Sequence, residues 1–290
     1  MIKDSIEYLI KIATNPQYSN NLLAARQEYQ KYAGGIFDDD KSYENQLALF
    51  LEWYIFDRIE PAHGQTVLEL IINNGKEETL DPLKNINVFT SHIHGLFIIK
   101  KIKDHSVKAI NLFDNEQYNV VEPSGKLYFS KNSIFEGRLL AYENSYYFTG
   151  NFCFHPEGSQ KFIKSEIKKI SSLQKINAQE LKLQNIKLKN ENKKLNKTIS
   201  SIEKQQEKIQ RLNSEKKIFK IKNDLFELES IKEKHEENYS LLKQNINTFT
   251  HEKIIRKSQS IQTRLMLKLS SMRLLLERSR NIAPKDIYKS

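Results

Sequence analysis

Over the first ninety residues the apolar positions recur with the period of an α-helix. Ile6, Leu9, Ile10 and Ala13 share one face of a segment over residues 4–14, and Asn15-Pro16 stops it. A second helix is predicted from Ser19 to Ala33, ended by Gly34-Gly35. After Asp38-Asp39-Asp40 comes a third. In it Leu47, Phe50, Leu51 and Tyr54 recur at i, i+3, i+4 and i+7, and Trp53 and Phe56 widen the apolar face, which places this helix at the centre of a core. Pro61 and Gly64 break it. Thr66 and Glu69 then have capping-box spacing: the hydroxyl can accept from the Glu69 amide while the carboxylate reaches back. Asp81-Pro82 marks one more helix start.

From about Gly95 the pattern alternates instead. Leu96–Ile102, Val107–Phe113, Gln117–Val121, Lys126–Ser130, Ser133–Tyr142 and Tyr146–Phe154 read as strands. Asp114-Asn115, Pro123-Ser124-Gly125 and Asn144-Ser145 separate most of them as turns. Short strands so closely spaced predict a small antiparallel β-barrel or a strongly curled sheet. With helices first and a meander second, the class is α+β.

Between Gly158 and Pro284 lie 125 residues without glycine or proline, so long helices follow. Leu181, Leu188, Leu195, Ile202 and Ile209 fall seven apart, as d positions of a coiled coil. The a positions are then Ala178, Asn185, Asn192, Ile199 and Gln206. A second register has Ile218, Leu225, Lys232, Tyr239 and Ile246 at a, with Ile221, Leu228, His235, Leu242 and Phe249 at d. The two registers are out of phase across Asn213-Ser214-Glu215. Either a straight rod shifts phase there, or two antiparallel helices turn. Beyond residue 250 the stripe Ile254, Ile261, Leu265, Leu269, Met272 and Leu276 has further leucines off it. Lys253, Arg256, Lys257, Arg264, Lys268, Arg273, Arg278 and Arg280 are interleaved, a candidate anion-binding set on a helix apolar enough to dock on something. By this pattern the chain divides into a helical region (1–90), a barrel (91–158), a coiled coil (159–250) and a basic amphipathic C-terminal helix (251–290).

Charge sharpens the division. Residues 1–159 carry 15 Lys/Arg against 21 Asp/Glu, while the whole chain has a net charge of +10, so the helical half is strongly basic. That excess suggests an anionic partner for the tail, nucleic acid or an anionic membrane surface; it is also what a solvated lysine-rich helix would show. The single cysteine, Cys153, permits no disulfide within the chain and suits a reducing compartment. The N-terminus lacks the uncharged core of a signal peptide, and no window is apolar enough for a transmembrane helix, so a cytoplasmic location is expected.

Candidate chemistry is sparse. His92 and His94 with Cys153 and His155 allow a zinc site to be drawn, but without the spacing of a metal motif. Cys153 and His155 lie about 7 Å apart on one strand face, too far for direct thiol activation, and a buried structural cysteine fits better. Asp38, Asp39 and Asp40 lack the glycine and distal glutamate of a calcium loop and read as complementing a helix dipole. Asp57-Arg58 reads as a buried structural pair. Phe97, Tyr118, Tyr128, Phe129, Tyr142, Tyr146, Tyr147 and Phe148 could stack bases, though on an acidic half. No phosphate-binding loop, dinucleotide fingerprint or nucleophile elbow is present. No cofactor, metal or catalytic residue is expected.

Three stretches resemble a group of uncharacterised bacterial proteins: FDDDKSYENQLALFLEWYIFDR (37–58), GQTVLEL (64–70) and FTGNFCFHPEGSQKFI (148–163). The likeness covers roughly residues 25–165 and implies a shared domain without a transferable catalytic residue. The expectation is a non-catalytic scaffold that pairs through its coiled coil, as a homodimer or with a helical partner. The alternative is nucleic-acid binding by the basic half.

Overall fold

The computed structural model describes residues 2–16, 19–74, 87–121, 129–279 and 281–289. Asp81-Pro82, Pro123-Ser124-Gly125, residues 126–128 and Arg280 lie outside them, as do the side chains of Lys253 and Arg256.

Helices α1 (Ile2–Ala13), α2 (Ser19–Ala33) and α3 (Tyr43–Phe56) follow the apolar pattern. Gly34 ends α2 with φ 89°, a left-handed conformation that costs glycine little, and its N–H donates to Gln30 O at 3.0 Å. The short strands β1 (Ile59–Glu60) and β2 (Gln65–Thr66) pair and deliver the chain to α4 (Val67–Asn74). There the capping box forms as read: Glu69 N donates to Thr66 Oγ1 at 3.2 Å and Thr66 N to Glu69 Oε2 at 2.7 Å. These helices share a core of Leu9, Ala25, Tyr29, Phe50, Tyr54 and Ile71.

After α5 (Asn87–Thr90) come β3 (Ile93–Lys103), β4 (Ser106–Asn111), β5 (Gln117–Val121), β6 (Ile134–Tyr142), β7 (Ser145–Phe148) and β8 (Cys153–His155). The order β3-β4-β5-β7-β6 closes through β6 onto β3, giving a five-stranded barrel, and β8 pairs with β6 outside the ring. Neighbours run antiparallel except β5 and β7. The predicted last strand is divided into β7 and β8 around Gly150, whose φ is 105°. Phe129 and Ser130 are not in a strand. Phe97, Ile99, Val107, Phe129, Phe135 and Leu139 fill the barrel, with Phe129 and Phe135 rings 5.0 Å apart. The interior is therefore packed core, and Phe97 and Phe129 are buried in it instead of offering a stacking face.

The long segment is α6 (Gln160–Gln210), α7 (Glu215–Phe249), a π-helical stretch (Thr250–Arg256) and α8 (Lys257–Arg278), followed by α9 (Pro284–Ile287). The two registers are thus two helices joined by a break at residues 211–214. The π stretch shifts the helical phase, which is why the apolar stripe changes beyond residue 250. Two compact units result. One is Met1–Lys169 with Ile261–Ser290; the other is Ile170–Ser260. In the first, α8 buries Leu265, Met266, Leu267, Leu269 and Leu274. At about 1.5–3 kcal/mol per buried aliphatic side chain, this docking dominates the helix's stability. Among the described residues, no helix is long and apolar enough to cross a membrane.

Candidate functional site

The first unit holds a buried charge network at the junction of α3, β3 and β6. The register pairs His94 with Arg138 and Leu96 with Glu136 across β3 and β6. Arg138 forks onto Asp57, with Nη1 to Oδ1 at 3.2 Å and Nη2 to Oδ2 at 2.5 Å, and its Nε donates to Glu52 Oε2 at 3.4 Å. Its guanidinium lies 4.7 Å from the Phe56 ring centre. Asn151 Nδ2 holds the other Glu52 oxygen at 2.8 Å. His94 bridges two carboxylates, Nδ1 to Asp57 Oδ2 and Nε2 to Glu136 Oε1, both 3.0 Å. Ser270 of α8 donates to Glu136 Oε2 at 3.0 Å.

The protonation states follow from the contacts. Burial would lower the basicity of His94, but the Asp57 carboxylate raises its pKa to about 9, so the ring is an imidazolium at neutral pH. Burial pushes Asp57 up, yet Arg138 and His94 hold it well below the usual carboxylate range. Glu136 is likewise lowered, by its bond from His94, against burial. With each carboxyl met by a fixed cation or donor, the network braces the barrel against α3 and α8.

The paired histidines and Cys153 do not combine as drawn from sequence. His92 Nδ1 donates to Phe89 O at 2.8 Å, and His155 Nδ1 shares a hydrogen bond with the Tyr288 hydroxyl at 3.3 Å. Among the described residues, no group of three or more His, Cys, Asp or Glu side chains is placed to hold a metal ion. Cys153 is buried, and burial followed by the nearby Glu136 charge pushes its thiol up to about 12. The protonated thiol is therefore the favoured form at neutral pH.

Two short-range readings are corrected. Asp57 and Arg58 are adjacent but not partners: Arg58 pairs with Glu60 at 2.6 Å and Glu28 at 2.8 Å, because the helix ends there and the two side chains diverge. Asp40 does not lead the helix, whose first-turn acid is Glu44. It instead receives Arg278 Nε at 2.8 Å and Nη2 at 2.6 Å.

Several members of the basic set are engaged within the first unit. Besides Asp40, Arg278 donates to Gly35 O at 2.7 Å and stacks on Phe37. Lys268 contacts Glu166 at 3.4 Å and the Phe162 ring, and Arg264 lies over Tyr32. Arg273 is the exception. It lines a cavity of about 440 Å³ between α2, α3, the loop before β8 and α8, and among the described residues its one ionic contact is Glu277, at 3.8 Å.

The second unit is a helical hairpin. His235 Nδ1 donates to Glu191 Oε1 at 2.5 Å. Each residue is 22 positions from Asn213, about 30 Å along its helix, so they meet only if α7 runs back along α6. On α7 the shielded residues include Ile218, Ile221, Leu225, Leu228, Leu242 and Ile246. On α6, Leu181, Leu188, Leu195, Ile202 and Ile209 are shielded too, and Ile199 is half-buried. Asn185 and Asn192 are exposed, however, and the column beside the leucines is Gln184, Glu191, Thr198 and Gln205. The seam is thus apolar on one column and polar on the next.

The outer flank of α6 carries a second pattern. Leu183 is 61% exposed and Ile186 47%. Residues 182–197 contain six lysines and a single acid, Glu191, whose carboxylate meets both His235 in the seam and Lys194 at 3.2 Å. Sequence spacing found the seam but not this flank, because an exposed aliphatic among lysines has no distinguishing period.

No curated protein and no solved structure matches the chain. A family of unknown function matches residues 17–190, which span α2 to the middle of α6 and include the barrel, the charge network and three walls of the cavity. The chain belongs to that family, DUF7986.

Proposed function

We propose that this is a non-catalytic interaction protein of a bacterial cytoplasm, in which the hairpin of α6 and α7 is the arm that binds a partner. The observation that carries the reading is the outer flank of α6, where exposed Leu183 and Ile186 stand among lysines that outnumber the one nearby acid, Glu191, while that acid is bonded to His235 of α7. Charge complementarity and the aliphatic pair favour an acidic amphipathic helix of another protein as the occupant. The buried, protonated Cys153 and the internally satisfied charge network support a role without chemistry.

The test is capture from a bacterial lysate on wild-type protein and on the variant L183S/I186S/K187E, followed by direct titration of whatever depends on those residues. An acidic helical protein whose affinity drops tenfold or more in the variant supports the reading. A partner that binds both proteins equally overturns it.

The same lysines favour a second reading, nucleic-acid binding. Anisotropy of labelled single- and double-stranded nucleic acid, titrated over salt, separates the two. A steep negative salt slope that the variant flattens would establish the second reading in place of the first.

A further inference from the structure

The cavity of about 440 Å³ lies wholly within the first unit and is of the size that takes a small organic ligand. Leu49, Leu274 and Cys153 line it, beside the segment of Phe152 and Phe154, whose rings pack on Phe129 and Phe135 in the barrel. Arg273 stands at its polar side. An arginine has five N–H donors in a fixed fork. Among the described residues, Arg273 makes no hydrogen bond to any acceptor, and its contact with Glu277 is a loose 3.8 Å at a side chain 38% exposed. Glu277 itself is fixed from the other side, accepting from Ser42 N at 3.0 Å. The guanidinium is therefore held at the cavity with its donors uncommitted, unlike Arg138, Arg58 and Arg278, each of which is matched to a carboxylate.

We propose that this cavity binds a small organic acid with an apolar body, its carboxylate on Arg273 and its body against Leu49 and Leu274. A carboxylate matches the guanidinium fork with two parallel hydrogen bonds, whereas an alcohol of the same length offers a single acceptor. The Cys153 thiol is kept neutral by burial, and the carboxylate among the lining residues, Glu277, is held by the Ser42 amide. Neither the outer flank of α6 nor a partner protein enters this argument.

The experiment is calorimetric titration of the full-length protein with decanoate and with decanol, both below the concentrations at which they aggregate. Decanoate should bind at least tenfold more tightly than decanol. Arg273→Met should bring decanoate down to the level of decanol, and Arg273→Lys should retain part of the difference. Leu49→Trp, which fills the apolar end, should remove both ligands; circular dichroism checks that each variant is folded. Equal binding of the two probes, no saturation by decanoate, or unchanged affinity in a folded Arg273→Met protein would each overturn the proposal.

Discussion

At the scale of single residues, the network around Arg138 makes the sharpest predictions. Arg138→Met leaves Asp57 and Glu52 buried without their cation, and should lower the unfolding free energy by about 3–5 kcal/mol, read by urea denaturation. His94, with its pKa raised to about 9, contributes stability that is complete below its unfolded value of 6.5 and is lost as pH rises through 9. His155 is buried as the neutral ring, its pKa lowered to about 4, so the unfolded chain binds the extra proton between those values. Stability should therefore climb from pH 4 to about 6.5 and decline toward pH 9. Denaturation midpoints across that range should show the descending limb removed by His94→Gln and the ascending limb reduced by His155→Phe. Little of this was legible in the sequence. The capping box of Thr66 and Glu69 was, because both partners sit within one turn. Arg138 was not: its partners Glu52 and Asp57 are more than 80 positions away and meet it only where α3 packs on the barrel. Adjacency pointed to Arg58 instead, which pairs elsewhere.

At the scale of elements, periodicity served well where one face is apolar. α2 has the predicted bounds, and the shielded side chains of α7 recur along one face. It failed where the shielded residues are polar. Leucine spacing identifies one column of α6, but the neighbouring column can lie on either side of it, and glutamine, glutamate and threonine give no signal to choose. Heptad spacing alone therefore places Asn185 and Asn192 beside the leucines, whereas both are exposed. The pairing itself is checkable. With Glu191 and His235 both replaced by cysteine, a short bis-maleimide should cross-link them within one chain, because Cys153 is buried and silent. A product of doubled mass would mean that the helices pair between chains. For α8, Leu269 is fully buried, and Leu269→Ala should cost about 2–5 kcal/mol, measured by thermal or urea unfolding.

At the scale of the whole molecule, a seam occupied within the chain predicts a monomer. Sedimentation equilibrium should give a mass near 34.1 kDa that does not change with concentration. A dimer would instead revive pairing of arms between copies, the expectation that the heptads alone suggest. The α+β class and the order of helices, barrel and long helices were readable, since each rests on local period. The return of the last segment to the first unit was not, because a basic amphipathic helix looks the same whether it docks at home or abroad. Only the burial of Leu267 and Leu269, and the bonds of Arg278 to Asp40 and of Ser270 to Glu136, decide it.

That return has a consequence for how the protein is made. The first unit is assembled from both ends of the chain, with Ile170–Ser260 inserted between them. During translation the helices and barrel leave the ribosome well before α8 does. At roughly 5–20 residues per second, the arm alone delays α8 by about 5–20 s. Until then the surface that will receive Leu265, Met266 and Leu269 is bare, and Glu136 lacks Ser270. Nascent chains stalled before Ile261 should therefore be cut by protease within the helical region or barrel and retained by chaperones, while chains released past Tyr288 should resist both.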